Sequence, residues 1–283
     1  MGSRRGRKPY AARRVLDYYL HTARAAVALA YPGAPPPTLA GPAPGTTPER
    51  LTGADQAVAA AVRLGNHAAQ ASARLGLGEA LMQSGSSAEA RDHLRAALAL
   101  YRKLGDQAGQ AACQCGTARL CEARGDHSQA LYHAGHALGL YRAVADQPRQ
   151  AAALNGVGWY YALLGDYQRA LAYCGKALKL QRETGNRLGE AATLDSLGYC
   201  HHQAGRHRQA VTVYQQALSA YADAGDRYFR AHTLIRLGET HQASGNPQAT
   251  REAWQQALAI LDDLHHHDAG PIRAKLRGMI VCS

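Results

Sequence analysis

The chain has 283 residues, 46% of them hydrophobic, a single Phe and a formal net charge of +11. Alanine dominates the apolar set and favours helix, and no segment reaches the roughly 18 uninterrupted apolar residues that would span a bilayer. More than half of the surplus charge stands in residues 1–64, where Arg4, Arg5, Arg7, Lys8, Arg13, Arg14, Arg24, Arg50 and Arg63 outnumber Asp17, Glu49 and Asp55; a nucleic-acid groove would want that charge spread along the chain.

Residues 1–10 read as a basic leader. Ser3-Arg4-Arg5 has the opening of a twin-arginine signal, but Gly6-Arg7-Lys8 follows where apolar residues are required, and Asp17, His21 and Arg24 interrupt any apolar stretch behind it. A solvated leader on a cytoplasmic chain is expected. Residues 11–31 read as one amphipathic helix, stopped by Pro32-Gly33 and by Pro35, Pro36 and Pro37. Residues 32–64 then form a Pro-, Gly- and Thr-rich linker with a short helix.

From 65 to 264 one pattern returns every 40 residues, in the units 65–104, 105–144, 145–184, 185–224 and 225–264. Ala97, Ala137, Ala177, Ala217 and Ala257 are each followed by leucine. Gly85, Gly125, Gly165, Gly205 and Gly245 precede them by twelve residues, and Gly65-Asn66, Gly105-Asp106, Ala145-Asp146, Gly185-Asn186 and Gly225-Asp226 mark the boundaries. An active site is needed once, whereas repeated small, apolar and turn residues specify a stacking geometry.

In the unit 145–184, Asp146 is placed to cap a helix that tolerates Pro148 in its first turn. Leu154, Val157, Tyr161 and Leu164 give that helix an apolar stripe. Gly165-Asp166 ends it and starts the next, whose stripe is Ala170, Tyr173, Ala177, Leu178 and Leu180. Two antiparallel helices per unit are expected. The row Gly78, Ala118, Gly158, Gly198 and Gly238 falls inside each first helix, where glycine costs about 1 kcal/mol relative to alanine. A close helix–helix approach is expected there, with the alanine row as its counterpart. Tyr101, Tyr141 and Tyr221 read as packing between units.

Gly158, Tyr161, Gly165-Asp166-Tyr167, Ala170 and Ala177-Leu178 match the tetratricopeptide repeat pattern in order and spacing, and the match extends over all five units. The usual unit is 34 residues; here a longer second helix adds six, and the proline that commonly ends a unit is missing. The resemblance implies an all-α solenoid of five helix pairs, a right-handed superhelix with the first helices lining a concave face. Val15-Leu16-Asp17-Tyr18-Tyr19-Leu20-His21-Thr22-Ala23, the Pro-rich stretch and Leu51-Thr52 are similar to the segment that precedes the repeats in actinomycete antibiotic regulatory protein type transcription regulators, large switches with DNA-binding and nucleotide-binding domains. No G-x-x-x-x-G-K-[ST] phosphate loop occurs. The resemblance implies the repeat end of such a regulator standing alone, as a relative or remnant.

On the face implied for partners stand Glu79, Met82, Arg119, Glu122, Asn155, Trp159, Asp195, Tyr199, His202, Ile235, Glu239 and Gln242, with Leu75 beside them. Trp159 falls between the stripe residues Val157 and Tyr161, so it is either an exposed anchor for a partner or a packing residue against a neighbouring unit. The chain is expected to bind a protein or peptide partner. Nucleic-acid binding through Arg4–Arg14 is the alternative.

No spacing suggests a nucleophile turn, so no enzyme is expected, and neither a cofactor nor a metal. Cys113, Cys115, Cys121, Cys174, Cys200 and Cys282 follow no zinc pattern and read as small core thiols. His265-His266-His267-Asp268 opens the tail 265–283 and reads as a solvated loop, with metal binding the competing possibility. A short cap is expected over Ile272–Val281.

Overall fold

The computed structural model describes residues 52–281 apart from Ser84. The leader, the helix expected over 11–31 and the Pro-rich stretch lie outside the described residues. Among those described there are twelve helices and no strand. They are α1 (Thr52–Arg63), α2 (His67–Gln83), α3 (Ser87–Leu104), α4 (Gln107–Ala123), α5 (His127–Ala143), α6 (Gln147–Leu163), α7 (Tyr167–Glu183), α8 (Arg187–Gln203), α9 (His207–Asp223), α10 (Arg227–Ala243), α11 (Pro247–Asp263) and α12 (Ala269–Val281). Two compact units divide them: the first runs to Gly125 and holds α1 to α4, and the second begins at Asp126 and holds α5 to α12. In the first, α2 packs on α1 and α3, and α3 on α4. In the second, each helix from α5 packs on the next, and the first helices α6, α8 and α10 also touch in sequence. The expected cap is present and starts three residues early, at Ala269.

Local chemistry sets the forty-residue period. Asp106, Asp126, Asp146, Asp166 and Asp226, with Asn66, Asn186 and Asn246, each accept from a backbone N–H three residues on, at 2.8–3.1 Å. Such caps satisfy donors that the helix itself leaves without a partner. The residue before each of them sits in the left-handed region, where glycine carries no Cβ penalty. Ala145 occupies that place at φ 55° without the glycine, and His265 repeats it at φ 51°.

The close approach at the glycine row is real, but its counterpart is corrected. A Cβ on Gly78 would lie 3.0 Å from Leu94, on Gly158 2.5 Å from Cys174, on Gly198 2.5 Å from Tyr214 and on Gly238 2.3 Å from Trp254. The helices therefore cross one turn before the alanine row, at a position that holds a larger side chain. The alanines are fully buried nonetheless: Ala97 clusters with Ala71, Tyr101 and Cys113, and Ala217 with Ala191, Leu194 and Tyr221.

In α6 the core uses Leu154, Val157, Tyr160 and Ala162, while Tyr161 is half-buried and Leu164, at the helix end, is exposed. The stripe is therefore corrected at Tyr161, whose neighbour Tyr160 is the buried ring. Tyr101 and Tyr221 of the tyrosine row pack between repeats as expected, and Tyr141 is buried. The Tyr101 ring occupies the space where Gly109 lacks a side chain, and Tyr221 stacks on Phe229 at 5.9 Å. Cys113, Cys174 and Cys200 are buried thiols. Burial pushes Cys113 up to about 12 and Cys115 up to about 11, which keeps both protonated and inert at neutral pH.

Candidate partner-binding face

In the first unit, Arg119 on α4 donates to Glu79 on α2 at 2.7 Å. Met82 packs with Val58 and Leu75 against the cluster of Leu77, Leu81 and Leu94, so it serves the core more than the surface. Glu122 lies half-buried near the end of α4.

The second unit brings more of the expected residues together. Trp159 on α6 and Tyr199 on α8 sit with ring centroids 4.9 Å apart and planes tilted by 52°. The guanidinium of Arg236 on α10 lies over both rings, 5.1 Å from the Trp159 centroid and 5.6 Å from that of Tyr199. Three successive first helices thus build one aromatic–cation platform, an attraction worth about 0.5–2 kcal/mol per cation–π contact. Arg236 also pairs with Asp195, whose other oxygen accepts from the Thr233 hydroxyl at 2.9 Å. Burial raises the Asp195 carboxyl, with Arg236 and Thr233 pulling it back. Burial opposes the charge on Arg236, but Asp195 together with Tyr214, Tyr221 and Tyr199 outweighs it and raises the guanidinium. Both partners of this pair are held in place by their neighbours.

His202 lies along the same edge. Thr240 donates its hydroxyl proton to the Arg236 carbonyl at 2.8 Å, so it accepts from His202 Nδ1–H at 2.9 Å. That fixes the tautomer with the Nε2 lone pair outward. Burial lowers the His202 pKa, so the ring is neutral at pH 7. Glu239 accepts from Lys275 on α12 at 2.6 Å.

Three expected residues are placed otherwise. Asn155 turns its amide oxygen to the Cys174 thiol at 3.6 Å, inside its own helix pair. Ile235 packs toward Trp254, Leu261 and Ile272. Gln242 is exposed at the end of α10, beyond the platform.

Arg236, the group that unites the two aromatics, was missed in the sequence. Its row reads Gly76, Gly116, Gly156, Ser196 and Arg236, and a charged residue where four repeats keep a small one was the available signal. The small residues leave the room through which Arg236 reaches Trp159, two repeats away.

The polar members share a spacing. Glu79 and Arg119, Asp195 and Arg236, Asp195 and Thr233, and His202 and Thr240 join neighbouring repeats, and Glu239 and Lys275 join the last repeat to α12. These bonds tie adjacent helices together, and the three ion pairs among them leave their charges locally compensated.

The second unit also carries an open groove of about 620 Å³, lined by Tyr132, His136 and Leu140 of α5, Tyr161 of α6 and Tyr173 of α7. Tyr161 and Tyr173 stack there at 5.5 Å. Its polar lining is not cross-linked between repeats in the manner of the first-helix face.

The tetratricopeptide repeat family matches residues 69–143 and 149–223. The chain belongs to that family. Among solved structures it is similar to BtubC (BKLC) from P. vanneervenii, at 20% identity and a TM-score of 0.62, over 75% of this chain and 89% of that one. It is also similar to a Rap protein complexed with competence and sporulation factor, at 19% identity and a TM-score of 0.59, over 80% of this chain and 68% of the other. A third similar structure is a signal transduction ATPase with numerous domains that has a tetratricopeptide repeat sensor, from Pyrococcus horikoshii. There the identity is 14% and the TM-score 0.57, over 80% of this chain and 42% of that one. At these identities the likeness shows the all-α repeat fold. No curated protein matches the chain.

Proposed function

We propose that this tetratricopeptide repeat protein is a non-catalytic binding module. It captures a protein or peptide segment on the first-helix face of its second unit, with Trp159, Tyr199 and Arg236 at the centre. The observation that carries this reading is the platform itself. Two aromatic rings and a guanidinium from three repeats converge on one patch, and residues of these types dominate binding energy at protein interfaces. The surrounding charges are paired, Asp195 with Arg236 and Glu239 with Lys275, so the face favours an amphipathic segment over a strongly acidic or basic one.

The module reads as the sensing arm of a regulatory system, a relative of transcription regulators acting in the cytoplasm. The similar Rap protein bound to competence and sporulation factor and the similar sensor-bearing ATPase support a sensing role. Among the described residues no helix is long and apolar enough to cross a membrane.

The experiment is to pan a random-peptide display library against the full chain and measure the enriched peptides by calorimetry at low and moderate salt. Trp159→Ala and Arg236→Ala should each weaken binding by about 2 kcal/mol with helicity unchanged, and affinity should hold as salt rises. Binding that collapses with salt, and that survives both substitutions but is lost on removing residues 1–14, would instead mark the basic leader as the contact.

A further inference from the structure

We propose that His232, His266, His267 and Asp268 form a binding site for a divalent transition cation of the zinc class, independent of the partner-binding face. The four residues come from two places. His232 lies on α10, and the other three lie in the short link between α11 and α12. Asp268 directly precedes α12, but the residue three on is Pro271, which has no N–H to cap, and its carboxylate is turned to imidazoles. His232 Nε2 is 3.1 Å from Oδ2, His266 Nδ1 is 3.2 Å from Oδ2, and His267 Nε2 is 3.2 Å from Oδ1. The candidate ligand atoms of His266, His267 and Asp268 all lie within 4.8 Å of one another.

The distances to the Asp268 carboxylate, two to Oδ2 and one to Oδ1, are close to the separation of neighbouring ligand atoms around a tetrahedral metal. Zinc bonds of 2.0–2.1 Å to nitrogen and oxygen place neighbouring ligand atoms about 3.3 Å apart. A set of imidazoles with one carboxylate is of the borderline type that suits zinc and its neighbours.

Hydrogen bonding alone leaves the cluster in conflict. His266 Nδ1 faces the Asp268 carboxylate at 3.2 Å and the Asp268 backbone N–H at 3.3 Å. One ring nitrogen cannot donate to the first and accept from the second. If it accepts from the N–H, its lone pair confronts a carboxylate; turning that lone pair to a cation shared with the carboxylate, in place of the N–H, removes the repulsion.

The surroundings hold the ligands in place. His265 takes the left-handed conformation at φ 51° and turns the link back on itself. The Tyr228 ring packs on His232 at 4.5 Å and on His266 at 4.8 Å. Arg227 pairs with Asp263 at 2.7 Å, and Arg273 pairs with Asp262, so both ends of the link are tied down. His267 is the exposed member, 86% accessible, and gives a cation its entry. A bound cation would clamp the cap helix α12 to the last repeat, since its ligands bridge α10 and the link.

The test is a titration of the full, tag-free chain with Co²⁺, followed by displacement with Zn²⁺. The expected result is one cobalt per chain with the visible absorption of four-coordinate Co²⁺, lost on adding Zn²⁺. His267→Ala and Asp268→Asn should each lower the affinity at least tenfold, while His136→Ala, on α5, should leave it unchanged. Because the His267 side chain is exposed, its removal spares the fold, and circular dichroism confirms that for each variant. Zn²⁺ should also raise the melting temperature of the parent chain and not that of His267→Ala. Three results would overturn the site: no visible band, affinity unchanged in both variants, or a thiolate-to-cobalt charge-transfer band showing that the cysteines hold the metal.

Discussion

Gln181 shows how a single residue departs from the pattern around it. Its row reads Tyr101, Tyr141, Gln181, Tyr221 and Leu261, and all five are buried. Tyr101 fills the space over Gly109, and Gln181 fills the same space over Gly189. The glutamine, however, brings a buried amide oxygen that finds no hydrogen-bond partner, a deficit that costs about 1–3 kcal/mol. Gln181→Tyr should restore the arrangement of the first unit and stabilise the fold by about 1 kcal/mol, read as a rise in the denaturant midpoint at unchanged m-value. A lower midpoint would show that the ring does not fit over Gly189. Trp159 illustrates the opposite limit of sequence reading at this scale. Its position between two stripe residues put it outside its own helix pair, and the structure agrees. What it meets there depends on Arg236, two repeats away, and no local pattern reports a contact of that range.

At the scale of the element, helix ends were the most legible feature because their chemistry is local. Seven of the nine described link glycines, and Ala145 in a glycine's place, precede an Asp or Asn that caps a helix, and each pairing lies within four residues. The exception with a physical cost is Ala145, which holds φ 55° with a Cβ and is exposed. Ala145→Gly should therefore stabilise the protein by about 0.5–1 kcal/mol, measured by thermal melting. No gain would mean that the extra freedom of glycine in the unfolded chain cancels the relief of strain. The helix crossing was only half legible. A glycine row announces that two helices meet closely, yet it does not say which residue of the partner fills the space. Leu94, Cys174, Tyr214 and Trp254 vary so much in size that their row does not stand out beside the invariant alanines one turn later.

For the whole molecule, half-buried histidines make stability depend on pH. Burial is the largest cause that lowers the pKa of His93, His133, His201, His202 and His241 below the ordinary 6.5. The unfolded chain protonates these rings before the folded one does, so stability present above about pH 6.5 is lost as the pH falls through the lower folded values. Glu190 acts in the same direction at more acid pH, because hydrogen bonds from Arg182 and Arg187 hold its carboxyl down. The melting temperature should fall between pH 7 and pH 5, and His241→Gln should reduce the slope. A flat profile would contradict this assignment. The repeat architecture was legible throughout residues 65–264 because each unit restates it, whereas the partner face appears once and had to be read from convergence in space. Its most direct test is site-specific photo-cross-linking in the native cells, with a benzophenone side chain placed at Glu239 or Gln242 on the first helix α10, or at Lys179 or Gln256 on the second helices α7 and α11. Discrete protein adducts at Glu239, weaker at Gln242 beyond the platform, lost on Trp159→Ala and absent from Lys179 and Gln256, are the predicted result. Adducts confined to the second-helix positions, or indifferent to Trp159→Ala, would contradict it.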